Sequence, residues 1–162
     1  MGKFLFVLVF FLTMSSSYAQ MDHNMMSSSI SVDTRKPLPL TAMMAEHQKQ
    51  NMRGHLEAIR DLTEAFISKN FKQIEEAGKK LGTSPQMAMM CDHMGRGAPG
   101  FTEMALRMHS EADKITEAGQ KKNLKAAMIA ANRTLQSCTA CHAIYKQEVL
   151  SEEAWKKKTE SK

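Results

Sequence analysis

Apolar residues recur at three- and four-residue spacing along most of this 162-residue chain. The first stripe is Ala45, Met52, Leu56, Ile59, Leu62 and Phe66. It predicts a helix capped by Thr41 and running to about Lys69. Asn70 marks a turn, and Phe71, Ile74, Ala77, Gly78 and Leu81 predict a shorter helix that Gly82 stops. Ser84-Pro85 is a fresh cap and first-turn pair, opening a short helix through about Met94. The run from Gly95 to Gly100 is a loop. Phe101, Met104, Ala105, Met108, Ala112 and Ile115 predict the next helix, to about Gly119. From near Lys122, the positions Leu124, Met128, Ala131, Leu135, Cys138, His142, Tyr145 and Val149 step by four and three without a break. They predict a last helix with a continuous core stripe. Four principal amphipathic segments on short connections predict an all-α fold, an antiparallel four-helix bundle with one short extra helix.

The two ends are different. Lys3 followed by the apolar run Phe4 to Met14 and the small residues before Ala19 predicts a cleavable signal peptide over residues 1–19. The protein is then expected to be exported, with the periplasm as its address. Residues 20–40 are polar, rich in Met and Ser, and end in Pro37-Leu38-Pro39, so they predict a disordered tether. The bundle domain is expected over residues 41–150. Residues 151–162 are expected to be a charged tail that frays, with Trp155 packing on the outside. No later segment is apolar for long enough to cross a membrane, so no stable membrane insertion is expected.

Chemistry concentrates at Cys138-Thr139-Ala140-Cys141-His142. Two cysteines three apart with a histidine after the second form the attachment signature of a c-type haem. Each haem vinyl group takes one thiol, and residues three apart lie on one helical face. His142 follows where its imidazole can bind the iron as proximal ligand. A redox dithiol is the first competing reading, but such a motif opens a helix after a strand, and no strand pattern precedes this one. A zinc site needs a second ligand pair, and the chain has only one further cysteine. The motif falls on the core stripe of the last helix, so the haem is expected to face the inside of the bundle.

Composition adds a second chemical theme. The chain has 15 methionines and a formal charge of only +5, Lys3 included. That mild excess among many acids reads as solvated helix faces and gives no reason to expect nucleic acid. The methionines cluster twice with histidine, at Met21 to Met26 around His23, and at Met87 to Met94 around Cys91 and His93. The plain reading of the first is a disordered tail, and of the second a sulfur-rich face packed on the core. The functional alternative is copper held by Cys91, His93 and Met94, since thioether and thiolate suit Cu(I). An intermolecular disulfide through Cys91 is a third option. His109, beside Met108, reads as an exposed polar residue. No nucleophile–base pair, carboxylate dyad or hydrolase motif stands in the chain, so the protein is not expected to be an enzyme.

The iron's other axial position turns on the first helix. At about 100° per residue Met52 lies on the seam, His55 about 40° from its centre, and His47 about 120° away. A methionine on such a stripe is ordinarily core, so on the residues alone Met52, His55 and an open site all stand.

The attachment motif in the last helix, the downstream Tyr145 and the helix start Lys122-Asn123-Leu124-Lys125 resemble class II c-type cytochromes, the group of cytochrome c-prime and its low-spin, methionine-ligated relatives. The resemblance spans roughly Thr41 to Lys146. It implies a periplasmic protein, often a homodimer, that passes electrons to redox partner proteins or binds NO or CO at a five-coordinate iron. It also implies Met52 as distal ligand, with His55 the alternative. Two departures stand out. Lys146 replaces the arginine usual one turn after the haem histidine, and Ser84 to Gly100 exceeds the family's plain loop.

Overall fold

In the computed structural model, residues 32–160 are described. They form Lys36–Thr41 (β1), Ala42–Ser68 (α1), Phe71–Leu81 (α2), Pro85–Gly95 (α3), Phe101–Gln120 (α4), Leu124–Ile144 (α5), Tyr145–Leu150 (β2) and Glu152–Glu160 (α6). The fold is therefore mostly helical, as the periodicity predicts, with one two-stranded sheet. The expected signal peptide and the Met21–Met26 cluster lie outside the described residues.

Helix starts follow from capping side chains. Thr41, Asn70, Ser84 and Asn123 each accept a hydrogen bond from the backbone N–H three residues on, satisfying a donor the helix itself cannot. Helix α1 packs on α2, α2 on α4 and α4 on α5, while α5 has little contact with α1. These four share one core, of Ala58, Leu62 and Ala65 with Ile74, Ala77, Leu81, Ala112, Ile115, Ala118, Ala127, Ala130 and Ala131. Small residues let the backbones approach. A Cβ on Gly119 would stand 2.8 Å from the Glu75 amide nitrogen, so α2 and α4 meet where only glycine fits.

Three expectations are corrected at the other end of the helices. Residues 36–40 are no tether, because β1 pairs in parallel with β2 from Lys36↔Tyr145 to Thr41↔Leu150. Leu38, Pro39 and Leu40 are buried, and the Pro39 carbonyl accepts a hydrogen bond from Trp155 Nε1 at 3.0 Å. Proline lacks only a donor, and a strand at a sheet edge tolerates that. The last helix ends at Ile144, and Tyr145 turns the chain into β2 (φ −115°, ψ 145°). Residues 152–160 form α6, and Trp155 is 5% exposed, inside the structure. It joins Leu38, Leu40, Met44, Ala45, Met94, Ala98, Phe101 and Tyr145 in a second cluster.

The apolar stripe of α5 is also displaced from expectation. Ala127, Ala130, Ala131 and Thr134 fill the core, while Met128 is 52% and Leu135 43% exposed. On α1, Leu56 is likewise 70% exposed, and the burial runs through Ala58, Leu62 and Ala65. Alanine pairs permit closer helix contact than the longer side chains beside them. Among the described residues no helix is long and apolar enough to cross a membrane.

Candidate functional site

Cys138, Cys141 and His142 occupy the last two turns of α5. Spaced three apart, the two thiols lie on one face, and both are half-buried. Burial raises the pKa of each, and the neighbouring Cys138 raises that of Cys141 further. The negative pole of a helix C-terminus also opposes a thiolate. A redox dithiol needs the reverse, a thiol activated at a helix N-terminus or beside a cation. Burial near the end of α5 leaves Cys138 and Cys141 less acidic than a redox dithiol requires.

Around the motif the chain is tightly pinned. Cys141 packs on the second cluster, as do Met104 and Ala105 of α4. Tyr145 donates its hydroxyl hydrogen to the Pro99 carbonyl at 2.6 Å and meets Phe101 edge-on at 5.5 Å. Gly100 sits at φ +87°, and a Cβ there would be 3.1 Å from the Tyr145 hydroxyl, so the glycine-rich loop is a close backbone passage beside the end of α5. His142 is exposed, not on the core line of α5 where the spacing predicted it, and its carbonyl accepts a hydrogen bond from Arg35 Nη1 at 3.3 Å.

The strand after the motif reaches α1. Gln147 Nε2 donates to Gln48 Oε1 at 2.6 Å and to the Ala45 carbonyl at 3.3 Å. Ala45, Gln48, Met52 and His55 are spaced by three, four and three, so they share the helical face that this contact fixes. Met52 and His55 are half-buried on it, and His47 is exposed. The His55 ring meets His109 of α4 at 5.4 Å and 79°. Burial, then His109, lowers the His55 pKa to about 4, so its imidazole is neutral at pH 7. His109 is not the exposed residue its neighbours suggested. It is 5% exposed, with Nδ1 2.7 Å from the Leu81 carbonyl, and burial lowers its pKa as well. With Nδ1–H donating to that carbonyl, the neutral tautomer leaves Nε2 unprotonated.

The sulfur cluster on α3 is divided. Cys91 and Met94 are buried, and the Cys91 thiol donates to Met87 Sδ at 3.4 Å. Burial raises the Cys91 pKa, as expected for a thiol packed like a small hydrophobe. His93 is exposed, with its ring 5.3 Å from Trp155. Two residues apart on a helix means about 200°, so Cys91 and His93 point to opposite sides. Among the described residues, no three His, Cys, Asp or Glu side chains gather to hold a metal ion.

Arg35, Gln48, His109 and Gln147 are the site neighbours that the sequence does not announce. Each acts through a contact between segments distant in the chain, and none belongs to a local motif. No protein family matches the chain, and no curated protein or solved structure does either.

Proposed function

We propose that this chain is a periplasmic c-type cytochrome that carries electrons through one covalent haem. In this reading α1, α2, α4 and α5 form an antiparallel four-helix bundle, and residues of α5 and α1 would together hold the haem. The observation that carries the reading is α5 itself. Its attachment motif continues the apolar line of Met128 and Leu135, which the protein's own core does not use. A flat apolar macrocycle would cover that line and remove it from water.

The donor set fits the group. Cys138 and Cys141, protonated by their raised pKa values, would each add across one vinyl, the sulfur bonding to one carbon and the hydrogen passing to the other. His142 would supply the proximal nitrogen, and Met52, half-buried on the α1 face pinned to β2, the distal sulfur. Haem so held supplies a one-electron iron couple, and histidine–methionine ligation raises its potential. His55 is drawn toward His109 and α4, which favours Met52 over it. The neutral imidazole pair also keeps positive charge out of this wall.

Optical and electron paramagnetic resonance spectra of the oxidised holoprotein test the assignment. Low-spin iron is expected in the wild type, changing to high-spin or weak-field ligation in Met52→Ala. High-spin iron in the wild type would replace electron transfer with the five-coordinate, NO- or CO-binding alternative.

A further inference from the structure

We propose that Arg35 is a positioning residue for the haem helix, whose guanidinium caps the His142 carbonyl and holds the iron's reduction potential up. The inference rests on the cytochrome reading above.

Arg35 reaches the motif because of the strand register. Lys36 pairs with Tyr145, so the preceding residue stands beside the end of α5. That register is anchored well away from Arg35, by buried Leu38 and Leu40 and by the hydrogen bond from Trp155 to Pro39. The last four carbonyls of a helix have no partner within it. At the end of α5 the Tyr145 N–H closes on the Cys141 carbonyl, and Arg35 Nη1 donates to that of His142 at 3.3 Å.

The electrostatic consequence is direct. A helix C-terminus carries about half a negative charge, spread over its orphan carbonyls. Here that pole lies on the residue that gives the iron its proximal nitrogen. A negative pole there favours ferric iron and lowers the potential, and a guanidinium bonded to the carbonyl offsets it. Arg35 and His142 are both exposed, so salt screens the effect and keeps it modest. Losing the charge should lower the ferrous-to-ferric ratio at fixed potential roughly threefold, about 30 mV for a one-electron couple.

The test is spectroelectrochemical titration of holoprotein: wild type, Arg35→Met, Arg35→Gln and Arg35→Lys, at low and high ionic strength. Arg35→Met should sit lower by that amount at low salt, and the difference should shrink in about 1 M salt. Arg35→Gln, which can still donate but is uncharged, should resemble Met, and it serves as the neutral variant if Arg35→Met takes up no haem. Arg35→Lys should recover most of the potential. A purely structural cap would move the unfolding temperature and leave the potential in place, and that result overturns the inference. Wild-type protein without covalent haem would overturn the cytochrome reading, and this inference with it. Haem present, with equal potentials in wild type and both neutral variants, overturns only the role of Arg35.

Discussion

The two packed clusters are made of different material. The core shared by α1, α2, α4 and α5 is mostly alanine with a few branched residues, and its helices approach closely at Gly78 and Gly119. The cluster at the β1–β2 end is built from leucine, methionine and aromatic rings, tied by hydrogen bonds from Tyr145 to Pro99 and Trp155 to Pro39. The first gains its stability from close backbone contact along helices, and the second from a few large side chains brought in from distant segments. Cys141 packs on the second, so the motif is fixed at the end where long-range contacts decide geometry. Damage to the first cluster should cost stability, and on the cytochrome reading damage to the second should disturb the iron.

Leu62→Ala breaks that comparison most forcefully. Leu62 is fully buried in the alanine-rich core, and its truncation should destabilise the protein by about 2–5 kcal/mol in chemical unfolding. On the cytochrome reading, the haem spectrum of the folded fraction should stay as it was; a changed axial ligation would show the two regions are not separable.

Between the clusters on α1, after Ala45 and before Ala58, lies His55. Its pKa is about 4 in the folded protein and 6.5 when unperturbed, so the unfolded chain binds the extra proton across that window. Stability should therefore be level above pH 6.5 and fall as the pH drops from 6.5 toward 4, by roughly 1–2 kcal/mol at pH 5 once partial exposure is discounted. Unfolding midpoints measured over pH 4–8 should show this slope, flattened in His55→Gln. An unchanged slope in the variant would place the titration elsewhere.

The smallest effect concerns the second cluster. Tyr145→Phe removes the hydrogen bond to the Pro99 carbonyl and should cost about 1 kcal/mol, leaving the packing against Phe101. On the cytochrome reading, this small loss should change the redox potential more than Leu62→Ala does.

How legible these regions were in the sequence follows the same division. The helices of the first cluster came from local periodicity, and the starts of α1 and α3 from Thr41 and Ser84, whose capping acts over three residues; Asn70 read only as a turn, and α4 starts at Gly100 without a capping side chain. The β1–β2 pair joins segments more than a hundred residues apart, and Pro37 and Pro39 made the first look like a linker. Tyr145 and Val149 continued the α5 spacing into a segment that is extended. Periodicity marked Leu56, Met128 and Leu135 as apolar, but it could not tell which apolar line faces the core and which lies beside it. The Cys-His spacing and its place on α5 were legible because a three-residue spacing is local. Its neighbours Arg35 and Gln147 were not, since only the fold brings them there.

The central claim is that Cys138 and Cys141 hold a haem. The most direct measurement is the intact mass of the exported protein under denaturing conditions, with acid–acetone extraction and thiol alkylation. The expected result is a chain heavier by one haem that survives extraction, with Cys91 the only cysteine left to alkylate, and no such addition in Cys138→Ser/Cys141→Ser. A wild-type chain of unmodified mass with all three thiols alkylated would contradict it.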